Sequence, residues 1–229
     1  MKKLIYIGVV SFLFSCTKGG GNVYIEGRVY NPITGEGIEG ANIIMYRDKP
    51  LSGAVGAQSG DTKTVESVYS DADGYYEIKH AGIAKYVVAM YKLGNYYSIG
   101  WVDIHTKNKT YTAGGGDTFA AKLSKNMHAD FQAVPYGLLH WHISNVNCEG
   151  GTDSMWFKTK YIHGDDFIDG WDYIFPYIGC VDINGSGSDK MAMGNHIIYM
   201  KIKRPSGTIY KYDTIFVQES NVTYFDLLY

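Results

Sequence analysis

Long apolar runs, clustered charge of one sign and catalytic signatures are all missing from this sequence, and each absence removes a class of function. The one sizeable apolar run, Leu4 to Phe14, spans only about 16 Å as a helix, half of a ~30 Å hydrocarbon core, and is too short to cross a membrane. The 21 basic and 23 acidic residues leave a net charge of −2 and are scattered. No basic stripe offers itself to nucleic acid or to an anionic bilayer. No H-x-x-E or H-E-x-x-H string occurs, no histidine or asparagine is arranged to activate a cysteine, and no cofactor fingerprint is present. No cofactor and no catalysis are expected. Cysteine stops at three residues, and no segment carries a helical apolar period.

What is abundant is β chemistry: 21 tyrosines, 28 glycines and evenly spread Val, Ile and Thr. In Val23 to Tyr30, Val23, Ile25, Gly27 and Val29 alternate with Tyr24, Glu26, Arg28 and Tyr30, the period of a strand with one buried face. Asn31-Pro32 and the glycines Gly35, Gly37 and Gly40 turn the chain into a second strand, Ala41 to Tyr46. Asp71-Ala72-Asp73-Gly74 then reads as the tight turn of a hairpin between Val65 to Tyr69 and Tyr75 to Ile78.

The string from Gly27 to Ile43, G-R-V-Y-N-P-I-T-G-E-G-I-E-G-A-N-I, followed by S-D-A-D-G-Y-Y-E-I, resembles the carboxypeptidase regulatory-like domain, a transthyretin-like β-sandwich. The resemblance covers residues 23–134 and implies a Greek-key sandwich of about seven strands. It implies little about activity, because that module is attached to peptidases, importers and binding proteins alike. The stretch from Arg47 to Lys63 is longer than the family's usual connection.

At the N-terminus, Lys2-Lys3, the apolar run and Leu13-Phe14-Ser15-Cys16 read as a signal peptide over residues 1–15. The last four residues resemble a bacterial lipobox, which makes Cys16 the lipid-bearing first residue of the mature chain; an ordinary secretory signal with a chance cysteine is the alternative. Residues 16–22 are a short tether. The mature chain keeps 19 basic and 23 acidic residues, so attachment comes from lipid. The resemblance implies the outer membrane and leaves the periplasmic or cell-surface face open.

In the first half, Lys85 to Lys92 and Tyr96 to Ile104 read as a hairpin through Gly94-Asn95, and Thr118 to Leu123 and Met127 to Val134 complete the sandwich. A boundary is expected near Pro135-Tyr136-Gly137. Leu138 to Asn145 then opens a second sandwich over residues 135–229, with Arg204-Pro205-Ser206-Gly207 as a hairpin turn. A single elongated β domain is the alternative. Cys148 and Cys180 form a pair that, in an oxidising compartment, is read as a disulfide, with two buried free thiols as the alternative.

Four sets of residues carry candidate chemistry or binding. His140 and His142, two apart on a strand, share a face and with His163 could approach one metal ion, although solvent-facing histidines beside a core Trp141 give the same pattern. Asp165, Asp166, Asp169 and Asp172, among aromatics, have the makings of a glycosidase pair and equally of turns. Asp182 to Asp189 resembles a calcium loop but carries Met193 where a bidentate Glu belongs. Trp101, Trp156 and Trp171 are candidate ligand-stacking residues, because this many aromatics exceed what a core needs. The expectation is an all-β protein of two tandem antiparallel sandwiches, non-catalytic, anchored to the membrane by N-terminal lipid. It presents a binding or assembly surface to carbohydrate or to an envelope protein, and not to nucleic acid. A fimbrial subunit is the first alternative; a metal-binding protein or hydrolase is the second.

Overall fold

The computed structural model describes residues 21–47, 63–82, 84–107, 109–111, 117–163, 176–185 and 189–229. All regular structure in them is strand. In chain order these are β1 (Gly21–Tyr30), β2 (Asn42–Arg47), β3 (Lys63–Tyr69), β4 (Tyr75–Gly82), β5 (Tyr86–Lys92), β6 (Tyr96–Thr106), β7 (Lys109–Tyr111) and β8 (Thr118–Ala121). Next comes β9 (Lys125–Ser144), then β10 (Ser154–Tyr161), β11 (Tyr177–Ile178), β12 (Asp182–Asn184), β13 (Asp189–Ala192), β14 (Gly194–Arg204), β15 (Gly207–Val217) and β16 (Val222–Leu228).

β9 organises the molecule. Its first half lies in the sheet β4-β1-β9-β6-β7, which faces the sheet β3-β2-β5-β8. Ile25, Val29, Ile78 and Phe131 from one sheet meet Ile43, Met45 and Val88 from the other in one buried cluster. Its second half pairs with β12 and β13 on one side and β16 on the other, and faces the sheet β11-β10-β14-β15. There Leu139, Ile143 and Leu227 pack on Met155, Ile198, Ile202 and Val217. In each half β9 takes one parallel neighbour, β1 and then β16; the other pairings are antiparallel.

Leu138 to Asn145 is therefore not a separate first strand. The inward set Met127, Ala129, Phe131, Ala133, Pro135, Gly137, Leu139 and Ile143 keeps a period of two straight through the expected boundary, and all of these are buried. Pro135 is tolerated because β1 pairing ends at Gln132 and β16 pairing begins at Leu138, so its missing N–H costs no ladder bond to either strand. A small cluster of Val134, Tyr161, Ala192 and Met193, with Ile33, Tyr97 and Ile99 against it, fills the junction. Met193 N–H donates to Pro135 O at 2.8 Å. The Tyr161 hydroxyl donates to Met193 O at 2.9 Å, and burial pushes its pKa up to about 12.

Two expected hairpins are corrected. The Asp71–Gly74 turn has the expected chemistry: Asp71 Oδ1 accepts Asp73 N–H at 3.0 Å and Tyr75 N–H at 2.8 Å, and Gly74 has φ of 79°. Yet β3 pairs with β2 and β4 with β1, so the turn hands the chain from one sheet to the other. Gly94-Asn95 does the same between β5 and β6, which pair with β2 and with β9. Arg204 to Gly207 does close a hairpin, with β14 and β15 in unbroken register from Arg204↔Gly207 to Gly194↔Val217. Gly27 is required by close approach, because a Cβ there would lie 1.8 Å from Ala129 O.

Candidate functional site

The expected ligand-stacking tryptophans part company. Trp101 is 2% exposed and sits edge-on to Tyr76, Phe119 and Phe131 at 4.8–6.2 Å, so it is a core residue with no face for a ligand. Such aromatic pairs contribute about 0.5–1.5 kcal/mol each beyond burial. Trp156 is half-buried on β10 with Lys201 Nζ 5.1 Å from its ring centroid. Trp171 lies outside the described residues, as do Cys16 and the acidic cluster from Asp165 to Asp172.

The three histidines are not brought together. His142 Nε2 lies 2.8 Å from Asp182 and Nδ1 2.9 Å from Asp226, so both ring nitrogens are engaged. Hydrogen bonds to Asp182 and then Asp226 raise its pKa above the usual histidine range and favour the charged ring. Because Asp226 is its cross-strand partner on β16 and Asp182 is on β12, the triad ties three strands together. His140 lies against Tyr224, centroids 5.3 Å apart, and His163 against Tyr161 at 5.6 Å. The expected core neighbour, Trp141, is half-buried, donates from Nε1 to Asp189 Oδ2 at 2.9 Å and packs on Phe157 and Phe225.

Cys148 and Cys180 are disulfide-bonded, with Cα atoms 5.3 Å apart, as the pairing of the two mature cysteines led one to expect. The bridge joins the segment after β9 to the one after β11. Beside it Asp153 is fully buried. The Glu149 N–H at 2.8 Å, the Asn145 amide at 3.1 Å and the Arg204 guanidinium at 3.7 Å hold its carboxyl below the usual range against the opposing push of burial. These groups order the end of the second sandwich around the bridge.

The most open surface is β15. It pairs with β14 alone among the described residues, and its first eight residues, Gly207 to Thr214, are exposed on both faces. Tyr210 and Tyr212 are 66% and 79% exposed, with Ile209 and Phe216 also uncovered. No register shift interrupts the strand, and it contains no proline. An unbroken edge of this length, aromatic in part and carrying Lys211 and Asp213, presents N–H and C=O groups without a partner strand, the kind that templates another strand, although Asp213 Oδ1 accepts the Thr214 N–H at 2.7 Å. Elsewhere, a cleft of about 540 Å³ at the end of the first sandwich is lined by residues including Tyr24, Lys79, His80 and Asn126. At its wall, His80 bridges Glu66 at 2.9 Å and the Tyr86 hydroxyl at 3.2 Å.

These features define an all-β sandwich protein with a disulfide and an open aromatic edge. No protein-family model matches the chain, and no curated protein does. Among solved structures it is similar to the minor pilin GBS52 of Streptococcus agalactiae, at 10% identity and TM-score 0.34 over 90% of this chain and 94% of that one. It is also similar to a streptococcal ancillary pilin, at 12% identity and TM-score 0.32 over 90% of this chain and 62% of that one. A third likeness is to the shaft pilin SpaA of Lactobacillus rhamnosus GG, at 10% identity and TM-score 0.27 over 91% and 97%. At these TM-scores the likeness carries no argument for function.

Proposed function

We propose that the chain is a non-catalytic, extracytoplasmic assembly or binding subunit, held at the outer membrane through lipid on Cys16, whose two-sandwich body presents the β15 edge to a protein partner. Residues 23–134 serve in this reading as a transthyretin-like scaffold of the carboxypeptidase regulatory-like kind. The observation that carries it is β15 itself: an eleven-residue edge strand with tyrosines on the surface, no bulge or proline, and Lys211 and Asp213 as its charges. Soluble proteins protect such edges unless they use them, and strand addition supplies main-chain hydrogen bonds while the alternating side chains set specificity. The fimbrial form of the reading is the case in which the partner is another copy of the chain. The membrane connection rests on the sequence of residues 1–16; among the described residues no helix is long and apolar enough to cross a bilayer.

Sedimentation velocity of the full chain in detergent, with and without Tyr212→Asp, tests the proposal, alongside a peptide and glycan binding screen. Concentration-dependent association, or capture of an extended peptide, that Tyr212→Asp abolishes is the expected result. A hydrolytic activity in the purified chain would overturn it, and so would binding confined to glycans and indifferent to Tyr212→Asp.

A further inference from the structure

We propose that Asp103, His128 and Asp130, with His105 against them, form a site for a divalent transition-metal ion, zinc by preference, on the outer face of the first sandwich. Asp103 and His105 come from β6, His128 and Asp130 from β9, and His105 and His128 are direct cross-strand partners. His128 and Asp130, two apart on β9, stand on the face opposite the core residue Ala129, His105 is half-buried beside the core residue Ile104, and Asp103 is exposed at the bulge before it. One ligand atom from each of Asp103, His128 and Asp130 lies within 4.8 Å of the others, and His128 Nε2 is 3.0 Å from Asp130 Oδ1. Ligand atoms around a tetrahedral zinc with bonds of ~2.1 Å stand about 3.4 Å apart.

The surroundings hold these groups as a metal site requires. Asp130 Oδ1 accepts the Arg28 N–H at 2.7 Å, where the β1–β9 pairing lapses at Gly27 and Arg28 without a change of register. The neighbouring Ala129 carbonyl takes the Tyr76 hydroxyl at 2.7 Å. His105 Nδ1 lies 3.0 Å from the Asp103 carbonyl and 3.4 Å from its carboxylate; because both only accept, that nitrogen carries a proton, and in the neutral ring Nε2 is the atom with a lone pair to offer a metal. The two imidazole centroids are 4.9 Å apart. Asp103 itself is left-handed, with φ of 49°, at a slip in the β6–β9 register between Val102 and His105, the kind of bulge that re-aims a side chain. The Arg28 guanidinium is engaged by Asp73 O and lies over the Tyr30 ring. Two carboxylates and two imidazoles without thiolate suit Zn²⁺ and its neighbours rather than Cu⁺, and the imidazoles disfavour Ca²⁺. Bound there, the ion would pin β6 to β9 across the slip.

Isothermal titration of zinc chloride into the full chain, with thermal melts in parallel, tests the site against His128→Gln, Asp103→Asn and, as control, His142→Gln. The expected result is one zinc per chain, a raised melting temperature, a loss of affinity of about tenfold or more in His128→Gln and in Asp103→Asn, and unchanged binding in His142→Gln. Calcium gives no comparable heat. No zinc binding, binding that survives both Asp103→Asn and His128→Gln, or binding lost equally in His142→Gln overturns the proposal. Should His128→Gln fail to fold by circular dichroism, Asp103→Asn decides alone, because Asp103 is exposed and its loss leaves the core intact.

Discussion

The two halves of β9 run in one strand, share one inward parity and each take one parallel neighbour, yet they face unlike neighbourhoods. The N-terminal half packs Met127, Ala129 and Phe131 into an aromatic-rich core between two full sheets. Its outer side chains answer to hydrogen bonds, Asp130 to Arg28 N–H and Gln132 to the Tyr30 hydroxyl. The C-terminal half packs Leu139 and Ile143 against a sheet whose last strand, β15, overhangs into solvent. Its outer face is held by the His142 ion pairs, and the far end by a disulfide. Both halves bury an apolar core; the second adds a disulfide and the His142 ion pairs, and its edge strand β15 is the one with eight successive exposed residues.

Breaking each half should expose that difference. Phe131→Ala, which empties the aromatic core, should cost about 3–5 kcal/mol and lower the urea midpoint of both sandwiches, because β9 belongs to both. Two well-separated transitions with the second unmoved would contradict the shared strand. Replacing Cys148 and Cys180 by serine should cost about 3–4 kcal/mol on loop-closure grounds, read as a lower melting temperature of the second sandwich with the Trp101 environment unchanged. Gly27→Ala forces a methyl against Ala129 O on the shared strand and should cost about 1–3 kcal/mol, lowering the same midpoint as Phe131→Ala by less. His142 gives a smaller, pH-dependent effect. Its folded pKa lies above the unfolded value, so its contribution is complete below pH 6.5 and fades as pH rises through the folded value; His142→Gln should flatten that slope in a melting series. Tyr212→Asp should change stability least, within about 0.5 kcal/mol, while removing association.

Strand positions were legible in the sequence where alternation survives, in β1, β9 and β14 most plainly. Sheet membership was not. Asp71–Gly74 and Gly94-Asn95 have hairpin chemistry, but the same turn serves a chain passing between two facing sheets, and only long-range register decides. Pro135-Gly137 carries the usual punctuation of a boundary, and the unbroken odd-numbered apolar set through it was the overlooked signal. The disulfide followed from the two cysteines that remain after Cys16. Trp101 was misread because a tryptophan beside a glycine says nothing about which face it takes. The Asp103, His105, His128 and Asp130 group was missed although its spacing is the one noticed at His140 and His142. Its two halves lie on strands that only the fold makes adjacent.

Hydrogen exchange of β15 amides, followed by mass spectrometry at low and at high protein concentration, tests the assembly edge most directly. The account predicts that peptides covering residues 207–217 slow as the chain associates, while the edge strands β3, β4 and β8 exchange as before. Unchanged exchange in β15, or protection gained at another edge instead, would contradict it.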